Sequence, residues 1–153
     1  MEKNIRLGLS QTKNKLRQKQ YDLVYLKMAE QIGMLSYCKR KQVGCLIVKD
    51  DNILSSGFNG SPKGMDNFCE DESGETLWYV LHAESNAISK LARSTQSSEG
   101  ATLYINLSPC KNCSKLILQS GIKRVVYNKQ HSCQEGINFL KQQGVECNFL
   151  NIE

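Results

Sequence analysis

Two short segments constrain this chain more than any other feature: His82-Ala83-Glu84 and Pro109-Cys110-Lys111-Asn112-Cys113. One imidazole and two thiolates are the donor set of a catalytic zinc, with a fourth position left open for water. Any fold must bring these segments together. Cys110 and Cys113 stand at i and i+3 of a predicted helix, so their sulfurs share a face. In the first helical turn, the dipole and the free N–H groups favour thiolate over thiol. His82 comes from the mouth of another predicted helix, so the site joins two helices. Glu84 lies two residues beyond His82, and such a pair diverges by about 200° inside a helix. The motif works only if both side chains converge at the helix mouth, where Glu84 becomes the candidate general acid and base. A purely structural zinc clip would need a fourth protein ligand. The chain offers one Cys-x-x-Cys pair and one other histidine, His131, which favours the catalytic reading.

The rest of the chain alternates between apolar periods of two and of three to four. Residues 21–37 are predicted as an amphipathic helix with Tyr21, Val24, Tyr25, Met28, Ala29, Ile32 and Leu35 facing the core. Residues 43–48 and 53–58 flank the turn residues Lys49-Asp50-Asp51-Asn52 and predict a β-hairpin. Residues 58–78 form a long connection that opens on a Gly- and Pro-rich loop. Connections of this length are usually functional or mobile. Helices are expected from His82 to about Ala92, from Pro109 (with Ser108 as N-cap) to Gly121, and over about 133–143. Strands are expected over 101–107, 124–127 and 145–150. This alternation predicts an α/β layered domain with a partly parallel sheet.

Charge and cysteines narrow the function classes. Of 20 basic and 15 acidic side chains, residues 1–20 hold six basic ones against Glu2 alone, which accounts for the whole net charge of +5. We expect residues 1–20 to be a basic, flexible N-terminal tail and residues 21–153 to be a single domain. The charge-balanced body argues against nucleic acid as a partner. No apolar run approaches the roughly 18 residues of a membrane span, and the N-terminus lacks a signal-peptide core, so a cytoplasmic protein is expected. The seven cysteines show no disulfide framework in their spacing. Cys110 and Cys113 are assigned to metal and Cys45 to the core, while Cys38, Cys69, Cys133 and Cys147 stay open.

With these residues in view, the chain resembles the deoxycytidylate (dCMP) deaminases of the zinc-dependent cytidine deaminase superfamily. The resemblance covers about residues 21–150. It rests on the H-x-E and P-C-x-x-C segments, on Arg40-Lys41-Gln42-Val43-Gly44, on the Gly57-Phe58-Asn59-Gly60-Ser61-Pro62 loop, on His82 through Ile88, and on Thr102-Leu103-Tyr104 with Leu107-Ser108-Pro109-Cys110. It implies a three-layer α/β/α cytidine deaminase-like fold with a five-stranded mixed sheet. It also implies one catalytic zinc and hydrolysis of dCMP to dUMP and ammonia, feeding thymidylate synthesis. The alternative is a deaminase of another cytosine nucleotide or nucleoside, or of a base in nucleic acid. On the resemblance, Glu84 protonates N3 and the leaving amine, and the Ala83 N–H holds the base carbonyl. Asn59 binds the sugar and Arg40 the 5′-phosphate. A homo-oligomer, with dCTP and dTTP as possible effectors, is also implied. Many relatives carry a tyrosine near the nucleotide where this chain has His131. Some bind a second, structural zinc through a cysteine equivalent to Cys38, which Cys69 could join. From the residues alone, Asn59 could instead serve as a positive-φ residue between glycines, and Arg40 as a helix-end cation.

Overall fold

The structure is a computed structural model that describes the backbone of residues 2–152 and the side chains of residues 7–152. Its elements run α1 (Glu2–Gly33), β1 (Gly44–Lys49), β2 (Asn52–Phe58), α2 (Ala83–Ala92), β3 (Thr102–Ile105), α3 (Lys111–Gln119), β4 (Arg124–Tyr127), α4 (Glu135–Gln142) and β5 (Glu146–Phe149). The strands form one mixed sheet in the order β2-β1-β3-β4-β5. β1 runs antiparallel to β2 and β3, while β3, β4 and β5 are parallel. The expected three-layer α/β/α architecture and five-stranded mixed sheet are both present.

The strand period of two builds the layers. Cys45 and Ile47 of β1, Leu103 and Ile105 of β3, and Val125 and Tyr127 of β4 point to one face. There they pack with Ala83, Ala87 and Leu91 of α2, Ile117 of α3, and Ile137 and Leu140 of α4. The alternate residues Leu46, Val48, Tyr104 and Val126 point to the other face and meet Tyr25, Leu26 and Ala29 of α1. Apolar residues on both faces explain why the β1 sequence is a continuous apolar run. At the β1–β2 turn, Asp50 and Asp51 adopt positive φ of 49° and 59°, the left-handed pair of a tight hairpin turn.

Two expectations for the N-terminal region are corrected. The helix does not begin at residue 21; it runs unbroken from Glu2 to Gly33, through the segment expected to be a flexible tail. Residues 9–20 contain neither Gly nor Pro and are rich in Lys, Gln, Arg and Leu, all good helix formers. The side chains of residues 7–20 are exposed; those of Lys3 and Arg6 lie outside the described residues. The buried face is also rotated from the expected stripe. Val24, Met28 and Leu35 are exposed, while Asp22, Tyr25, Leu26 and Ala29 are buried. The cause is Asp22. Its carboxylate accepts two hydrogen bonds from Arg124 (2.8 and 2.7 Å), one from the Tyr104 hydroxyl (2.8 Å) and one from Gln18 (3.0 Å). This network bolts α1 to β3 and β4 and sets the helix phase. Burial acts to raise the Asp22 carboxyl, but the hydrogen bonds from Arg124, Gln18 and Tyr104 outweigh it and hold it below its ordinary range. No helix among the described residues is long and apolar enough to cross a membrane.

Candidate active site and metal centre

The site lies where the N-terminal ends of α2 and α3 meet. α2 is pressed onto β2 at Gly57, where a Cβ would collide with the Ala83 carbonyl and the Ala87 N–H. Two hydrogen bonds secure the contact: Ser55 Oγ donates to the Ala87 carbonyl (2.7 Å), and Asn86 Nδ2 donates to the Phe58 carbonyl (2.7 Å). α3 is held from the other side by α4, whose Gly136 packs directly on the Pro109 and Cys110 backbone.

His82 is the N-cap of α2, in extended conformation (φ −72°, ψ 160°). It is therefore outside the helix, and the 100° per residue that would part it from Glu84 does not apply. Both side chains line one cavity of about 210 Å³. Cys110, rather than the expected Ser108, is the N-cap of α3, and its Sγ accepts a hydrogen bond from the Cys113 N–H (3.5 Å). The thiolate thus caps the helix, satisfying an N–H that has no partner within the helix. Ser108 is used elsewhere: its Oγ accepts from the His131 N–H (2.8 Å) and its own N–H donates to the Lys129 carbonyl (2.8 Å).

The His82 Nδ1 lies 3.5 Å from the Cys110 Sγ and 3.4 Å from the Cys113 Sγ, and the three donor atoms all fall within 4.8 Å of one another. Tetrahedral zinc, with Zn–S of about 2.3 Å and Zn–N of about 2.0 Å, places N and S about 3.5 Å apart. These donors fit zinc in type, number and spacing. No carboxylate joins the cluster among the described residues, so the fourth position is left to solvent or substrate. The Ser85 hydroxyl lies 3.7 Å from the Cys113 Sγ and supports that ligand from behind. Hydrogen bonds from Cys113 and His82 pull the Cys110 thiol down to about 3, whereas Cys113, donating to Cys110, is pushed up. The pair shares a proton that metal binding would displace.

Glu84 is 3 % exposed. Burial pushes its carboxyl up to about 7; the Cys110 thiolate adds to this, while its own backbone N–H, His82 and Cys113 oppose it. A carboxyl that exchanges its proton near neutrality suits general acid–base chemistry.

The remaining predicted residues reach the same cavity. Ala83 is the first residue of α2, so its N–H belongs to the positive end of the helix dipole. Asn59 does not adopt positive φ. Its Oδ1 accepts from the Val43 N–H (2.9 Å) and its Nδ2 donates to the Lys41 carbonyl (2.8 Å), which fastens the loop to the start of β1. Arg40 is not a helix-end cation. Its Nη1 contacts Glu75 Oε2 and Thr76 Oγ1, each at 3.4 Å. Cys38 and Cys69 form a disulfide with Cα atoms 5.1 Å apart. The spacing shows no disulfide framework and leaves these two cysteines open; the pair ties up both sulfurs that a second zinc would use. Their pairing spans 31 residues, which spacing alone does not reveal. Sequence reasoning also missed Glu70, whose Oε1 accepts the Lys39 and Arg40 N–H groups (2.9 and 3.1 Å) across the cavity wall.

The family model for the cytidine and deoxycytidylate deaminase zinc-binding region matches residues 19–129, a stretch that contains the three donors and Glu84. The chain belongs to this family. It is 36 % identical to the deoxycytidylate deaminase of Mycobacterium phage D29, over 72 % of this chain and 95 % of that one. It is 33 % identical to the deoxycytidylate deaminase of Saccharomyces cerevisiae, over 82 % of this chain and 43 % of the yeast protein, so it spans less than half of that relative's length. The crystal structure of the dCMP deaminase from cyanophage S-TIM5, in complex with dCMP and dUMP, superimposes with a TM-score of 0.82 at 44 % identity. The match covers 83 % of this chain and 94 % of the cyanophage one. Zinc is thus the metal of this family, and the donor geometry above agrees with it.

Proposed function

We infer that this protein is a hydrolase that converts dCMP and water to dUMP and ammonia. One observation carries the reading: a buried carboxyl, Glu84, shares a single cavity with a three-donor zinc site that keeps a position open. His82, Cys110 and Cys113 would hold the zinc, whose chemistry when bound would be to let a water ionise near neutrality. Glu84 would take one proton from the attacking water and pass it to N3, then take the remaining proton of the oxygen added at C4 and pass it to the departing amine, so the C4–N bond gives way to a C4–O bond and ammonia leaves. The Ala83 N–H holds the base carbonyl. Asn59 Nδ2 has two hydrogens and commits one to Lys41, which leaves one for the sugar. Arg40 reads the 5′-phosphate. Its exposed contact with Glu75 is of a kind worth about 1 kcal/mol at most, and a bidentate phosphate contact is stronger.

In this reading, residues 21–153 make up the deaminase domain, and residues 1–20 are a basic extension of it. Cytoplasmic residence, a homo-oligomer, dCTP and dTTP as effectors, and service to thymidylate synthesis extend the proposal on family resemblance. The test is ammonia release from dCMP, CMP, dCTP, deoxycytidine and single-stranded DNA. We expect dCMP to be preferred. Turnover of deoxycytidine or DNA with dCMP untouched would overturn the reading.

A further inference from the structure

We propose that the projecting half of α1, residues 7–20, docks on a second copy of this chain, along the exposed face of that copy's α1 and against its acidic 66–75 segment. Family resemblance offers a homo-oligomer without naming the surfaces that meet. Nearly all of this extension precedes residue 19, where the family match begins, so the contact belongs to this chain's own sequence. It does not depend on which substrate is turned over.

The extension is a helix with nothing packed on it. Every side chain from residue 7 to residue 20 is exposed, over about 21 Å of helix. Residues 1–20 carry the whole net charge of +5, and no ion pair joins the extension to an acidic side chain among the described residues. Leu9 and Leu16, two turns apart, are exposed on one side of it. Further along α1, Val24 and Met28 expose a second apolar strip. Apolar residues in rows on a helix surface fit another helix.

The counterpart lies at the mouth of the cavity. Residues 66–75 hold five acidic side chains and no basic one. Beside them Tyr37, Phe68 and Trp78 are exposed, Trp78 to 92 %. The three belong to one patch, because the disulfide joins Cys38 to Cys69 and the Leu77 N–H donates to the Cys69 carbonyl (2.8 Å). An apolar patch rimmed by charge marks an interaction site. Glu75 faces Arg40, but Asp66 and Glu72 make no ion pair among the described residues.

One chain cannot bring the two surfaces together. β1 runs back along α1: Gly44 lies against Gly33, and at the other end the Tyr25 hydroxyl donates to the Asp51 carbonyl (3.3 Å). The extension therefore leaves the sheet at the β1–β2 turn, and the acidic patch sits at the opposite end. Lys13 precedes Gly33 by 20 residues of unbroken helix, about 30 Å. Two copies with antiparallel α1 helices, crossing near Val24 and Met28, remove the obstacle. Each extension, around Lys13 to Arg17, then reaches the acidic patch of the other copy, and the central apolar strip is covered. The same contact is made twice, as in a closed two-fold dimer. Parallel helices would instead set one +5 segment against another.

The full-length protein is prepared as a mixture of isotopically labelled and unlabelled chains and treated with a zero-length carbodiimide cross-linker. We expect Lys13 or Lys15 to be joined to Asp66 or Glu72, with one labelled and one unlabelled chain in the product. Two full-length variants reverse one surface each: Lys13→Glu with Lys15→Glu, and Asp66→Lys with Glu72→Lys. Each variant alone should associate about ten-fold more weakly in sedimentation at low salt, since like charges then face each other. An equimolar mixture of the two should recover the wild-type affinity, because the mixed dimer restores opposite charge at both contacts. Unchanged association in either variant, a mixture that does not recover, or the absence of these cross-links would overturn the proposal. Extension lysines protected by added single-stranded DNA, with no cross-link between chains, would overturn it in favour of a nucleic-acid partner.

Discussion

Gly57→Ala should damage catalysis from outside the cavity. Gly57 does not have positive φ, so the added methyl brings no backbone strain of its own. It does bring a collision. Its Cβ would lie 2.7 Å from the Ala87 nitrogen and closer still to the Ala83 carbonyl oxygen. Non-bonded carbon contacts settle at about 3.5–4.0 Å, so the first turn of α2 must retreat from β2 by roughly 1 Å. That turn carries Ala83 and Glu84 and follows directly on His82. A misplacement of about 1 Å at a catalytic group can cost about 10²-fold in rate. Overpacking of this kind costs about 1–3 kcal/mol of stability, equivalent to roughly 2–12 °C in Tm for a chain of this size. The control is Gly60→Ala, just past the end of β2, where a Cβ meets nothing within 4 Å and φ is not positive. Steady-state deamination, normalised to folded and zinc-loaded protein, should fall about 100-fold for Gly57→Ala and little for Gly60→Ala. A Gly57→Ala protein with wild-type kcat and Tm would refute the claim that this contact positions the site.

Four further outcomes are expected. Glu84→Gln should keep its fold and zinc but lose about 10²–10⁴-fold in turnover, as read by rate and metal analysis at saturating dCMP. Arg40→Ala should lower kcat/KM on dCMP by about ten- to a hundred-fold and lower it less on deoxycytidine, which has no phosphate. Cys110→Ala should lose both the metal and the N-cap of α3, and metal analysis finding full zinc retention would count against the site. Asp22→Asn should destabilise the protein by about 3 kcal/mol, because the 18 %-exposed Arg124 loses its buried carboxylate and keeps, among the described residues, only the exposed Glu146 carboxylate at 3.5 Å. The sign with pH follows from the depressed Asp22 carboxyl. Its contribution is complete above the ordinary value of 3.8 and is lost as pH falls through the lower folded value. The gap between wild type and Asp22→Asn in denaturant melts should therefore close below about pH 4.

The parts of this protein that follow local rules were legible in its sequence. Short apolar runs located β1, β3 and β4, and Gly121 and Gly144 marked where helices stop. The zinc donors could be read because both cysteines belong to one turn and His82 sits beside Glu84. What escaped depends on partners distant in sequence. The phase of α1 is set by Asp22 meeting Arg124 and Tyr104, 102 and 82 residues away, and no periodicity reports a buried carboxylate. The extent of α1 is hidden because a basic, charge-rich segment resembles a solvated tail, although Lys, Gln and Leu are strong helix formers. The cavity wall of Cys38, Cys69, Glu70 and Arg40 forms only when a loop folds back across about 30 positions. Ser108 looked like an N-cap by residue type, yet the Cys110 sulfur holds that position.

The decisive measurement is dCMP turnover through a cycle of metal removal and return. Stripping the protein with a chelator should abolish conversion of dCMP to dUMP, and about one equivalent of zinc per chain should restore it. The His82, Cys110 and Cys113 donors should be needed for that restoration. A metal-free chain that still deaminates dCMP, or a zinc-loaded chain that does not, would contradict the assignment.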